Sequence, residues 1–531
     1  MGFISFWFIA FCALLVLLYY VLPKKCQWPL LLLASYAFYA SYDVRHFIFI
    51  VITTVTVYYA AYKITAVRKE RTSYFDEHKE ELDKEQKKEY KAKTRSITRR
   101  WLVACLLLNF GILFALKYIN FTINNINALI GIFSSSQIPT FDKLLLPLGI
   151  SYYTFKTAGY IADVYFGKYE AERNIFKLAL FTSFFPTLLQ GPIDRYPLTA
   201  PSLFAEHSWE GKRIRFALER ILWGYFKKLV IADRLVVAVI SIVSAPEKYP
   251  GLMVAAGAFI YAAELYCDFT GGIDITIGVA NLFGVEVSEN FLRPFFSKNI
   301  AEYWRRWHIT LGTWFKDYTF YPLCTARPVM SITKFCKNKF GPGVAKRVPI
   351  YIASIVLWFG TGAWHGASWN FILWGLGNCF VILVSQELTP LYTRFHKKHP
   401  NIDNKWYYKT MCIVRTNLIM CALRLFDCYK DVPTTFKAFG SIFARPSFES
   451  LSSETFLGLG LTAADYLIAF AGILLIFSVS MVQRRGSVRE MLEKRSFALR
   501  LAVFALLFAV TLVFGAYGLG FDSNSFIYTK F

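Results

Sequence analysis

Charged residues are scarce in this chain, and so are the spacings by which cysteine and histidine mark metal or redox sites. Asp, Glu, Lys and Arg make up 18% of 531 residues, against 55% apolar residues, a balance far from that of an average soluble domain. The ten cysteines form no C-x-x-C pair, so neither a metal site nor a disulfide framework is expected. Cys12, Cys105 and Cys379 lie in apolar segments, where a thiol acts as a small hydrophobe. No repeat of 20–50 residues is evident, and no ten-residue alternation of the barrel type. Residues 3–22 lack a basic flank before them and a small-residue cleavage site after them, so a cleaved signal peptide is not expected. Zinc-finger spacing and aromatic–basic RNA motifs are missing too, so the formal net charge of +23 does not point to nucleic acid. Basic loops facing anionic lipids account for it instead.

What the chain does have is apolar runs near the length that crosses a bilayer. A hydrocarbon core of about 30 Å takes about 20 apolar residues as helix. Residues 3–22, 46–64, 101–119, 464–482 and 499–519 meet that test. Further runs at 144–166, 174–190, 216–243, 251–266, 349–385 and 409–426 are interrupted by Pro, Gly or charge. The expected fold is an all-α, multi-pass membrane protein of about ten spans. Lys24 and Lys25 follow the first run, which puts the N-terminus outside by the positive-inside rule. The polar stretch 67–100 then falls in the cytoplasm, and its twelve Lys/Arg against eight Asp/Glu agree with that side. Its middle, Asp76 to Lys93, reads as a charged surface helix with i,i+4 pairs. Broken segments at membrane depth survive only when buried in protein or lining a watery cavity. The chain therefore divides into N-terminal spans (1–143), a functional core (144–385) and C-terminal spans (386–531).

Of the seven histidines, two have notable surroundings. His365 sits in WFGTGAWHGASWNFILW, residues 358–374. An ionisable side chain among four tryptophans in an apolar segment is a functional candidate by default. Burial favours neutral imidazole, the form that accepts a proton from a hydroxyl. A core histidine bonded to a backbone carbonyl would give the same pattern. His308 closes the run ENFLRPFFSKNIAEYWRRWH, 289–308. Read as one helix, Trp304, His308 and Leu311 share a face. The same run also suits an interfacial helix with Trp anchors and snorkelling Arg. Arg305 and Arg306 have the planar fork that grips phosphate or carboxylate, and they could equally pair with Glu302 or lipid headgroups. Two clusters, 266–274 with Asp268 and Asp274, and 185–196, read as loops that plug a cavity. Asp268 could instead cap a helix or pair with a cation.

The run 289–308 resembles the signature of the membrane-bound O-acyltransferase (MBOAT) family. So do WHGASW (364–369), GISYYTF (149–155) and FKKLVIADR (226–234), in the family's order over about residues 145–375. The bacterial branch, with alginate O-acetyltransferases and teichoic acid D-alanyl transfer proteins, is the most similar. The sequence departs from some members at Gln190-Gly-Pro-Ile-Asp194, where Ala-Gly-Pro followed by other residues is expected.

The resemblance implies a ring of helices around a central pore, where a cytoplasmic thioester meets an extracytoplasmic hydroxyl. It implies that His365 is catalytic and that His308 lies near the cytoplasmic mouth. Trp304, Trp364, Asn370, Asp268, Arg305 and Arg306 are the accompanying candidates for donor or substrate contact. No bound cofactor is expected. The co-substrate would be acetyl-CoA or an acyl-phosphopantetheine carrier protein, drawn to the basic cytoplasmic face. The partners would be the bilayer, a polysaccharide acceptor and an extracytoplasmic SGNH-type acyltransferase. Acetyl transfer is favoured over D-alanyl transfer because 166 residues follow His365 and the ending 525–531 is similar to the acetyltransferase type. A non-catalytic scaffold and a transporter are the readings from other classes.

Overall fold

The computed structural model describes residues 2–142, 144–429 and 431–517; the ending 525–531 lies outside them. Among these residues the regular structure is helical, and β-pairing is limited to one isolated antiparallel bridge between Phe291 and Trp307. Helices close their backbone hydrogen bonds within the segment, as hydrocarbon surroundings require. Seven of the described helices are long and apolar enough to cross a membrane, and the chain is an all-α, multi-pass membrane protein. The larger number of runs in the sequence reflects shorter pieces. Residues 3–22 yield a sixteen-residue helix, Phe6–Val21. The run 174–190 breaks into Ile175–Ser183 and Phe185–Leu188.

The chain forms two compact units, one of Ser5–Arg213 with Ala280–Ser288 and one of Gly2–Ile4, Ile214–Val279 and the residues from Glu289 onward. The boundary at 213/214 falls inside the stretch 144–385.

The first unit contains α1 (Phe6–Val21), α2 (Phe47–Glu77), α3 (Lys84–Lys117) and α4 (Ile150–Phe166). The stretch 67–100 is not a loop with its own helix. Helices α2 and α3 run on through it, leaving only residues 78–83 as the turn. A reciprocal cap starts α3: Asp83 accepts from the Gln86 amide at 2.7 Å, and the Gln86 side chain accepts from the Asp83 amide at 3.0 Å. Arg68 donates to the Val164 carbonyl at 2.8 Å, and Lys69 pairs with Glu170 at 2.6 Å. The charged extensions thus brace the end of α4. The broken segment 185–194 is buried throughout, as irregular backbone at this depth must be.

The second unit contains α5 (Leu252–Leu282) as far as Val279, α6 (Ile300–Arg306), α7 (Ile309–Phe315), α8 (Pro342–His365), α9 (Trp369–Glu387), α10 (Trp406–Cys428), α11 (Ala463–Val482) and α12 (Phe497–Phe514). Residues 266–274 are not a plug loop: they lie inside the unbroken α5. Their carboxylates are tolerated in a long apolar helix because each has a cation. Asp268 pairs with Lys228 at 2.6 Å, and Asp274 pairs with Lys227 at 2.5 Å and Arg220 at 2.8 Å. Lys228 also holds Asp233 at 2.7 Å. These cations come from the FKKLVIADR segment and the helix before it, Gly211–Tyr225. Residues 226–232 there form a widened π-type turn.

Candidate active site

The helix expected through His308 is interrupted at that residue. Helix α6 ends at Arg306, Trp307 is extended, and His308 takes the left-handed conformation at φ +47° before α7 begins. Only a few per cent of non-glycine residues do this, and the surroundings hold it there. The Leu292 amide donates to the Arg306 carbonyl at 2.9 Å, and the Ile309 amide to the Asn290 carbonyl at 3.0 Å. The Asn290 side-chain oxygen accepts from the Thr310 amide and hydroxyl, both at 3.0 Å. That oxygen is therefore an acceptor, and His308 Nδ1, 3.3 Å away, must carry the proton it donates. The lone pair of the imidazole is left on Nε2. His308 lies outside the seven spans, and burial pushes its pKa down to about 3.

His365 ends α8, and Gly366 to Ser368 turn the chain into α9. The two helices cross at backbone contact. A Cβ on Gly362 would lie 2.4 Å from the Phe371 carbonyl oxygen, and one on Gly375 2.3 Å from that of Trp358. This crossing packs His365 against Trp364, Phe371 and Trp374, at ring-centroid separations of 5.0, 6.4 and 4.8 Å. Trp364 also meets the His308 ring at 5.6 Å. One indole thus links the two histidines, and both are buried.

Trp304 joins the same aromatic group. It packs on Trp358 at 5.1 Å and Trp374 at 5.4 Å, and its indole N–H donates to Asn378 at 3.0 Å. His308, His365, Trp304 and Trp364 are therefore brought together, while Asp268, Asn370 and Arg306 are engaged elsewhere. Asp268 is bound to Lys228. Asn370 donates to the Tyr429 carbonyl at 2.8 Å and to Thr435 at 3.1 Å, fixing the start of α9. Arg306 pairs with Glu302 at 2.6 Å, while Arg305 is exposed.

A sequence model of the MBOAT, membrane-bound O-acyltransferase family matches residues 31–333, more than half of the chain. The chain belongs to this family. The match includes His308 and ends before His365. Among relatives, this family member is 31% identical over 365 residues to the probable alginate O-acetylase AlgI of Azotobacter vinelandii, covering 69% of this chain and 64% of that one. It is 28% identical over 415 residues to the peptidoglycan O-acetyltransferase of Helicobacter pylori, covering 72% and 70%. It is 28% identical over 285 residues to the teichoic acid D-alanyltransferase of Bacillus subtilis, covering 52% and 68%. The chain spans about 64% of the length of the Azotobacter relative, less than two thirds.

Two buried charged residues of this family member were not singled out from its sequence. Arg424, in the C-terminal spans outside the expected functional core, is 2% exposed and sits 4.4 Å over the Trp307 ring while donating to the Tyr303 hydroxyl at 2.8 Å. Arg424 is the second of two arginines inside the apolar run 409–426, and that was the available signal. Asp194, in the divergent Gln190–Asp194 stretch, is buried and accepts from the Ser288 amide at 3.1 Å. It anchors the chain just before the 289–308 run.

Proposed function

We propose that this chain moves a short acyl group, acetyl in the first instance, from a cytoplasmic thioester to a hydroxyl outside the cell. The observation that carries the reading is the buried aromatic cluster in which Trp364 joins His365 to His308. His365 acts as general base. Its neutral imidazole takes the hydroxyl proton as the acceptor oxygen attacks the thioester carbonyl. The C–S bond then breaks, and the departing thiolate recovers that proton from the imidazolium. Excluding water from such a cluster suppresses hydrolysis of the thioester. His308 positions donor or acceptor, with Trp304 and Trp364 forming the walls.

The donor is acetyl-CoA or an acyl-phosphopantetheine carrier protein, and no bound cofactor takes part. Arg305, exposed beside the break, contacts its phosphate. The acceptor is an extracytoplasmic polysaccharide, or a partner acyltransferase of the SGNH type that passes the group on. The catalytic core is 144–385, the spans surround a pore in which donor and acceptor meet, and the chain lies in the cytoplasmic membrane with its N-terminus outside. The similarity to the Bacillus teichoic acid D-alanyltransferase supports a second reading, D-alanyl transfer from a carrier protein.

The test is acyl transfer from labelled thioester by the full chain in detergent. General base catalysis contributes about 10²–10⁴-fold, so His365→Ala is expected to lose at least that order while remaining monodisperse. Near-normal transfer would remove the assignment. A preference for D-alanyl carrier protein over acetyl-CoA in the same assay would select the second reading.

A further inference from the structure

A cavity of about 780 Å³ opens in the second unit beside α6, lined from α5, from residues 293–298 and 302–306, and from α10 and α11. Its apolar lining includes Ala263, Phe295, Ile413, Ile473, Ile476 and Phe477. Its rim carries five cations, Arg293, Lys298, Arg306, Lys409 and Arg484, and a single carboxylate, Glu302. That carboxylate is already engaged, by Arg306 at 2.6 Å and by the Lys298 amide at 2.8 Å. Among the described residues, the side chains of Arg293, Lys298, Lys409 and Arg484 make no ion pair within 4 Å. Burial, and then the neighbouring charges of Arg306 and Arg484, push the Arg293 guanidinium below its ordinary value. Such a cluster is short of negative charge.

The position of the rim narrows what can supply that charge. Trp406 and Lys409 begin α10, and Arg484 follows the end of α11, so two of the cations sit at helix ends, one of them the end of a helix long and apolar enough to cross a membrane. Trp and Lys/Arg at helix ends mark the headgroup level of a bilayer. Trp406 is 77% exposed and Phe477 is 53% exposed, so the apolar side of the cavity faces outward. A ligand held here has a phosphate at the rim and hydrocarbon against Ile473 and Phe477.

We infer that this cavity is a binding site for an anionic phospholipid, separate from the histidine cluster. The headgroup phosphate lies among Arg293, Lys298, Lys409 and Arg484, and one acyl chain enters between α10 and α11. The inference stands apart from the acyl-transfer reading, since lipid retention can be measured without turnover.

The experiment uses the delipidated full chain in detergent, given equal amounts of phosphatidylglycerol and phosphatidylcholine, with bound lipid counted by native mass spectrometry. The wild type is expected to retain phosphatidylglycerol preferentially. Each basic residue near a lipid surface contributes about fivefold in affinity, so Lys409→Gln with Arg484→Gln should weaken retention by more than about tenfold. Both residues lie at helix ends, where the exchange spares the core. Ser480→Trp should evict the lipid although every cation remains, because the ring fills the apolar part. Equal retention of the two lipids, or phosphatidylglycerol binding unchanged in the double variant, would overturn the inference. Displacement of the lipid by coenzyme A or inorganic phosphate at matched charge would overturn it too, and would give the rim to a soluble phosphate.

Discussion

His308 combines an imidazole with a left-handed backbone, and a substitution must separate the two. Alanine removes the ring and keeps a Cβ in a conformation that His and Asn adopt more readily than other non-glycine residues. Asparagine tolerates that conformation. His308→Asn is therefore expected to fold like the wild type while losing transfer, and His308→Ala to lose both stability and transfer. If the two variants have equal thermal midpoints, the backbone argument fails. Acid gives an independent readout. A folded-state pKa near 3 against 6.5 for the free imidazole means that the unfolded chain binds more protons between those values. Stability should fall as pH drops from about 6.5 towards 3, and His308→Asn should remove that share. The aromatic surroundings of the imidazole were legible in the sequence. The break was not, because Ile300–Phe315 has the composition of one continuous amphipathic helix and only long-range bonds from Asn290 and Leu292 divide it.

At the scale of the element, α5 shows what pattern alone misses. Two glycines and two aspartates in residues 266–274 read as a loop, since uncompensated carboxylates are costly in an apolar helix. The compensation comes from Lys227, Lys228 and Arg220, about forty to fifty residues earlier in the chain, and no local window contains both partners. The arrangement predicts a non-additive pair. Breaking a buried ion pair on one side costs about 3–5 kcal/mol, so Lys228→Met should lower the thermal midpoint strongly. Lys228→Met with Asp268→Leu should recover part of the loss. Additive losses in the double variant would show that the two side chains act separately. The α8–α9 hairpin was easier to read: its glycines and tryptophans are dense in sequence, and they are dense around His365.

At the scale of the whole molecule, the apolar runs identified the long helices well and their ends poorly. Helices α2 and α3 run far past the apolar cores of 46–64 and 101–119, with Tyr74 stacked on Tyr90 at 4.5 Å between the two extensions. The side of the membrane can be tested with a native residue. Cys26 is exposed, next to Lys24 and Lys25. If the N-terminus is outside, an impermeant maleimide should leave Cys26 unlabelled in intact cells and label it after permeabilisation, with Cys26→Ser as the control. Labelling in intact cells would reverse the orientation.

Helix α12 buries one residue, Thr511, out of eighteen. Protein holds its end through the Phe514 carbonyl, which accepts from Arg234, and the Ala516 amide, which donates to the Leu229 carbonyl. Most of its surface faces whatever surrounds the chain. For this helix the solvent is therefore a structural component. Exchanging bilayer for micelle alters the medium of α12 more than that of the shielded α5, and the ordering of α12 becomes a property of the preparation as much as of the sequence.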